Sequence, residues 1–113
     1  MPDEKTEKIR QLNDAFRTSL QTDDRHKLAI TQGIRDEPDE YVFALLDLVR
    51  AFDDFNDGND PHKEHDFGEI NYKGNKIFWE FDYYGNSLAV GSEDASDPDQ
   101  TIRVLTIMLA SEY

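Results

Sequence analysis

The sequence predicts a single α+β domain in which three helices pack on a short antiparallel sheet of about four strands. Three observations indicate this fold class. The length of 113 residues suits one domain, apolar residues recur at helical spacing in the first half, and alternating strand patterns follow in the second half. The predicted element order is α-β-α-β-β-β-α over residues 1–113, and residues 1–5 are expected to fray.

The first half of the chain predicts two helices separated by a strand. Residues 4–21 form the first helix because apolar residues recur there at helical spacing. This stripe consists of Ile9, Leu12, Phe16 and Leu20. The pattern leaves Arg17 facing solvent. Residues 27–34 predict a short strand, and residues 35–52 predict a second helix with Pro38 in its first turn.

The second half predicts a β-hairpin at residues 67–84, turning at Gly74. The side chains of its second strand alternate between two faces. One face carries Ile77, Trp79, Phe81 and Tyr83, and the other carries Phe78, Glu80, Asp82 and Tyr84. Residues 87–92 predict one further short strand.

Residues 97–113 predict a closing helix. Asp97 suits the N-cap, Pro98 suits the first helical position, and Gln100 completes a capping box. Apolar residues cover nearly all sides of this segment. We therefore expect the helix to lie in the core or in an oligomer interface.

The charge is the strongest compositional feature, since 25 acidic and 12 basic residues give a formal net charge of −13. Phosphate backbones and anionic membranes repel such a molecule, whereas basic protein surfaces attract it. The chain has no basic stripe with interleaved aromatic residues, which argues against direct binding to nucleic acid. An acidic excess also favours solubility, so this simpler interpretation stays open.

Two absences from the sequence bear on function and location. Without cysteine, the chain cannot use thiol catalysis, disulfides or cysteine-ligated zinc. No apolar run approaches the roughly 18 residues of a membrane span, and the charged N-terminal segment lacks the apolar core of a secretory signal. We therefore expect a cytoplasmic protein.

The segment DPHKEHD, residues 60–66, places two histidines among carboxylates just before the hairpin. His62, His65 and Asp66 offer the nitrogen and oxygen ligands that a divalent transition metal takes. Either histidine, oriented by Asp66, also suits a general base, although the segment holds no nucleophile for it to activate. The third interpretation is structural, with Asp60 forming a turn and a histidine bonding the backbone.

A second candidate site lies in the hairpin. Glu80 and Asp82 share one face of a strand and lie roughly 7 Å apart, because a strand rises about 3.3 Å per residue. Such a pair can carry acid–base chemistry, hold a divalent cation or simply face solvent. Phe78 and Tyr84 flank the pair, and this aromatic and acidic composition suits a basic partner.

The segments LNDAFR, NDPHKEHDFG, FWEFDYY and TIRVLTIMLASEY carry a resemblance that extends over residues 9–113. Together they resemble a family of small bacterial proteins, domain of unknown function 3768. The resemblance implies a bacterial protein of a kind often found on plasmids and other mobile elements. It implies no established activity and assigns no role to any residue.

Two functions fit these observations. The first is a small interaction protein whose acids, gathered on one side of a rigid domain, imitate a nucleic-acid backbone and inhibit a restriction or CRISPR-type defence system. Its expected partner is a basic protein surface, and it needs neither a cofactor nor a catalytic residue. The candidate contacts are Asp53, Asp54, Asp57, Asp60, Glu64, Asp66, Glu80 and Asp82. The alternative is a small metal-dependent enzyme or metal-binding module using the 60–66 loop.

Overall fold

The computed structural model describes residues 3–113, which contain three α-helices, four strands and a C-terminal 3-10 helix. The elements are α1 (Glu4–Ser19), β1 (His26–Ile30), α2 (Gln32–Arg35), α3 (Asp39–Ala51), β2 (Phe67–Tyr72), β3 (Asn75–Tyr84), β4 (Ile102–Leu109) and the 3-10 helix Ala110–Glu112. The predicted α+β class is confirmed. Of the segment expected to fray, Met1 and Pro2 lie outside the described residues, whereas Asp3 caps α1 by accepting a hydrogen bond from the Thr6 amide at 2.7 Å.

The sequence around α3 explains where this helix begins and which side it buries. Pro38 precedes the first turn, and Asp39 and Glu40 place negative charge at the positive end of the helix. Buried residues recur at every fourth position along this helix. It consists of Tyr41, Leu45 and Val49.

The four strands form one sheet in the order β1-β4-β3-β2. β3 pairs with β2 and with β4 in antiparallel register, as in the pairs Ile70 with Ile77 and Phe81 with Leu105. β1 runs parallel to β4, with Leu28 beside Leu105. The sheet is therefore mixed, and the prediction of an antiparallel sheet is wrong for the β1–β4 pair.

The predicted closing helix at residues 97–113 is wrong, because this segment contains the inner strand β4. Apolar residues lie on both faces of this strand, with Ile102, Val104 and Met108 on one and Leu105, Ile107 and Leu109 on the other. Its sequence therefore lacks the alternation that marks an ordinary strand. The apparent N-cap signal belongs to a turn, in which the Asp97 side chain accepts hydrogen bonds from the Asp99 amide at 2.9 Å and from Gln100 Nε2 at 2.7 Å.

The strand predicted at residues 87–92 is also absent, and turns occupy this segment. One residue of it, Gly91, forms an isolated bridge with Tyr84. Leu88 has a left-handed backbone with φ of 61°, which interrupts an extended conformation. The apolar alternation of this short segment therefore does not continue into a strand.

The three helices contribute to a core on one face of the sheet. On β3 and β4 the core residues are the alternate positions Ile77, Trp79, Phe81, Leu105 and Ile107. Arg17 is buried here too, contrary to the prediction that it faces solvent. Its guanidinium donates to the backbone carbonyls of Val49, at 2.9 Å, and Arg50, at 3.1 Å, at the C-terminal end of α3. An arginine at this position thus satisfies the last carbonyls of a neighbouring helix.

The intervening positions of the strands point to the opposite face, where none of the three helices packs among residues 3–113. We call this surface the open sheet face. It consists of the partly or fully exposed residues Lys27, Ala29, Phe67, Glu69, Asn71, Lys76, Phe78, Glu80, Asp82, Tyr84, Val104 and Thr106. Within residues 3–113, none of the helices has the length and hydropathy needed to cross a membrane.

Candidate partner-binding surface

Asp60 organises the loop that leads from α3 to β2. This residue is only 2% exposed, and its Oδ1 accepts a hydrogen bond from the His65 amide at 3.0 Å. Its carbonyl accepts a second bond from the Lys63 amide at 3.2 Å. These bonds hold Lys63 and His65 in left-handed backbone conformations, with φ of 62° and 54°. A buried carboxylate with this role lies outside the reach of a partner's side chain.

The His65 ring is fixed on three sides. Its Nδ1 lies 2.9 Å from Oδ1 of Asp14, and its Nε2 lies 3.7 Å from Oδ2 of Asp60. The ring also stacks on Phe55, with a centroid separation of 3.7 Å and an interplanar angle of 4°. The carboxylates that orient His65 are therefore those of Asp14 and Asp60, whereas the sequence had suggested Asp66.

The metal hypothesis depended on His62, His65 and Asp66 converging. Among residues 3–113, no three His, Cys, Asp or Glu side chains form a group that could hold a metal ion. His62 is exposed, whereas His65 is packed against Phe55. Metal binding by this loop stays a prediction, which elemental analysis of the purified protein would test.

A buried polar network attaches the end of this loop to α1 and the sheet. Asn13 Nδ2 donates to the carbonyl of Glu64 at 3.1 Å and to Tyr83 Oη at 2.8 Å, while Asn13 Oδ1 accepts from Arg103 Nε at 2.9 Å. Tyr83 Oη donates to the Glu64 carboxylate at 2.9 Å. Burial raises the pKa of Tyr83 and lowers the pKa of Arg103. Glu64 is thus engaged inside the protein.

The eight acids predicted to contact a partner divide into two groups. Three have partners within the chain: Asp57 forms an ion pair with Lys63, Asp60 binds His65, and Glu64 binds Tyr83. The other five form no salt bridge with any of residues 3–113. They are Asp53, Asp54, Asp66, Glu80 and Asp82.

Three of the unpaired carboxylates, Asp66, Glu80 and Asp82, lie at the open sheet face and its edge, and each has a raised pKa. Burial raises the pKa of Glu80, and repulsion from Asp82 and Asp66 raises it further. Burial also raises the pKa of Asp82. The pKa of Asp66 is raised first by burial and then by the charge of Glu64. Each of these carboxylates is thus ionised at a cost that an approaching cation would reduce.

Aromatic and aliphatic side chains surround the Glu80–Asp82 pair. Along β3 the order on this face is Phe78, Glu80, Asp82, Tyr84. The Phe78 ring is held by Phe67, with ring centroids 5.0 Å apart, and by Tyr113 at 5.6 Å. On β4, Val104 and Thr106 lie directly opposite Asp82 and Glu80. The two charges therefore stand in a largely apolar setting.

The acids as a whole are not gathered on one side of the sheet. Glu4 and Glu7 lie in the first turn of α1, and Asp39 and Glu40 lie in the first turn of α3. Both helices pack on the face opposite Glu80 and Asp82. What distinguishes the open sheet face is therefore the local setting of its carboxylates.

The role of the polar α1 residues that hold the loop was not predicted from the sequence. A local signal was available, because Asn13 follows Ile9 by four residues and thus continues the apolar stripe of the helix. A polar residue on such a stripe is buried and must find partners. Its partners Glu64 and Arg103 lie 51 and 90 residues away, so no local pattern identifies them.

The family model described as "Protein of unknown function (DUF3768)" matches residues 30–112. This range includes the histidine loop, the hairpin and nearly all of the C-terminal segment, whereas LNDAFR in α1 lies before it. Searches of curated proteins and of solved structures found no match.

Proposed function

The chain belongs to the DUF3768 family of proteins of unknown function, and from its geometry we propose that it is a binding module for a cationic protein surface. The observation that carries this proposal is the set of partly buried carboxylates Asp66, Glu80 and Asp82, which form no salt bridge among residues 3–113. Burial raises the pKa of all three, and repulsion from Asp82 and Asp66 raises that of Glu80 further. A cation placed among them restores the charge stabilisation that these carboxylates lose when burial removes water from them. It also reduces the repulsion that acts on Glu80.

The exposed loop acids Asp53 and Asp54 add to this interaction from outside the sheet. They form no salt bridge with residues 3–113, so their charges act on an incoming partner. Exposed charges of this kind mainly accelerate encounter and make it sensitive to salt. The net charge of −13 has the same effect at longer range.

The finer form of the proposal identifies the partner as a nucleic-acid-binding protein of a bacterial defence system, in the cytoplasm. Such proteins present lysine and arginine rows that neutralise a phosphate backbone. A rigid domain with unpaired carboxylates competes for the same rows. The support for this form is electrostatic complementarity together with the mobile-element association that the sequence resemblance implies.

A competition assay tests the finer form. Labelled duplex DNA is bound to purified restriction and CRISPR-type effector complexes, and the protein is titrated against each complex. We expect displacement at about 50 mM salt and at least a tenfold weaker effect at about 200 mM, because charge contacts between partners are screened. The Glu80→Gln/Asp82→Asn variant should displace less DNA.

Two results would count against these proposals. If no complex releases DNA, the nucleic-acid-mimic form is wrong, although another cationic partner stays open. If displacement occurs but does not depend on salt or on Glu80 and Asp82, binding to a cationic surface through these carboxylates is wrong.

A further inference from the structure

We propose that the open sheet face is the docking surface and that its occupant is an arginine-bearing segment of the partner protein. This inference rests on the proposed function and deepens it by naming the surface and the cationic side chain. The reasons are the uncovered position of the face, its charge, and the aromatic rings beside its carboxylates.

The face is available because the helices pack on the other side of the sheet. The core residues of α1, α2 and α3 meet Trp79, Phe81 and Leu105, whose side chains point away from the open sheet face. Within the described chain, Tyr113 contacts the end of this face at Phe78. Glu80, Asp82 and Tyr84 remain partly exposed.

Charge complementarity selects a cationic occupant. Glu80 and Asp82 are neighbours on the same side of β3, and neither forms a salt bridge among residues 3–113. Two lysines share this face. Lys27 lies two strands away, opposite Val104, which lies opposite Asp82, and Lys76 lies on β3 four residues before Glu80, roughly 13 Å away at about 3.3 Å per residue. With strands about 4.8 Å apart, Lys27 begins roughly 10 Å from Asp82. The pair therefore presents uncompensated negative charge.

The aromatic residues favour arginine over lysine. Phe78 precedes the acid pair and Tyr84 follows it on the same face of β3. A guanidinium donates two parallel hydrogen bonds to a carboxylate, and its flat surface stacks on an aromatic ring. It is also more weakly hydrated than an ammonium, so less hydration is lost in this apolar setting.

The area of the open sheet face sets the affinity that we expect for an arginine peptide. Four strands at about 4.8 Å spacing and seven residues at about 3.3 Å rise give an area on the order of 400 Å². An interface of this size belongs to the weak, transient class. We therefore expect a short arginine peptide to bind with a dissociation constant on the order of 10 to 100 μM at low salt.

The test compares two peptides of equal charge, one with five Arg-Gly repeats and one with five Lys-Gly repeats. Binding of each peptide is measured by calorimetric titration at about 50 mM salt. The variants are Glu80→Gln/Asp82→Asn and Tyr84→Leu. The matched control is Asp39→Asn/Glu40→Gln, which removes two charges from the helix side of the sheet. Thermal unfolding checks that each variant folds.

We expect the Arg-Gly peptide to bind at least fivefold more tightly than the Lys-Gly peptide. Glu80→Gln/Asp82→Asn should weaken Arg-Gly binding at least tenfold, and the control should change it less than twofold. Tyr84→Leu should reduce the preference for arginine while leaving Lys-Gly binding nearly unchanged.

The contrary outcomes separate this inference from the proposed function. If the peptides bind equally well, the arginine preference is wrong. If both double variants weaken binding equally, the open sheet face is not the docking surface and binding through Glu80 and Asp82 is wrong, whereas binding of a cationic surface through other acids of the chain stands. If neither peptide binds the wild-type protein, the proposed function itself is wrong.

Discussion

At neutral pH, Glu80 and Asp82 stabilise the folded protein less than neutral side chains of similar shape would. Their pKa values are raised in the folded chain, by burial and, for Glu80, by repulsion from Asp82. A carboxyl group with a raised pKa stabilises the fold while protonated and loses that contribution as the pH rises through the raised value. At neutral pH these residues therefore oppose folding, which is understandable where they serve a partner.

Replacing both carboxylates by amides should stabilise the protein at neutral pH. Glu80→Gln/Asp82→Asn should raise the melting temperature at pH 7, and the gain should shrink as the pH falls toward the unfolded values of 4.5 for Glu and 3.8 for Asp. Below those values both states of the wild type are protonated, so its ionisation penalty disappears. Calorimetry between about pH 3 and pH 7 measures this difference. A loss of stability at pH 7 would contradict the electrostatic interpretation.

Gly68 is required by the position of Trp79. A Cβ atom at residue 68 would lie 2.3 Å from Trp79 Nε1, and the Trp79 side chain is fully buried. Gly68→Ala should therefore destabilise the protein by about 1–3 kcal/mol, the range for overpacked cores. Urea unfolding measures this loss. Gly91→Ala is the control, because its nearest contact would be an ordinary 3.7 Å, and an equal effect of both substitutions would contradict the packing argument.

The loop at residues 53–66 is attached to α1 by side chains of that helix. Asn13→Ala would remove three hydrogen bonds and leave Arg103 Nε buried without its partner. We expect a loss of about 2–4 kcal/mol, as for other buried polar groups that lose their partner. Chemical unfolding measures it, with the exposed Gln11→Ala on the same helix as control. A loss below about 0.5 kcal/mol would mean that the network does not hold the loop.

β4 is an inner strand of the sheet, since it pairs with β1 on one side and with β3 on the other. Native-state hydrogen exchange should therefore find the slowest amides at positions 103–108, because central strands open only in global unfolding. Faster exchange there than in α1 would contradict the strand order.

The sequence was informative for elements whose pattern is local. The alternation over residues 77–84 predicted β3 and both of its faces. The helix predicted at residues 35–52 is present as α3, although it begins after Pro38, at Asp39, rather than at residue 35. β4 was misread because its apolar residues follow no period of two. The contact between Asp14 and His65 joins residues 51 positions apart, and the parallel pairing of β1 with β4 joins residues even more distant. Such contacts depend on tertiary packing rather than on local spacing.

At the level of the whole molecule, net charge and binding surface are separate properties. Acids on both sides of the sheet produce the charge of −13, which favours encounter with any cationic surface. A specific partner requires a local surface, and the open sheet face combines unpaired carboxylates with aromatic rings. Changing salt should therefore affect association with every cationic ligand, whereas changing this face should affect the specific one.

Chemical-shift mapping by NMR tests the central claim most directly. The labelled protein is titrated with the Arg-Gly peptide, and the shifted amides are located on the fold. The largest shifts are expected at residues 78–84 and at Val104 and Thr106, with small shifts in the first turns of α1 and α3. Shifts spread over the acids on both sides of the sheet, with none concentrated on the open sheet face, would contradict the claim.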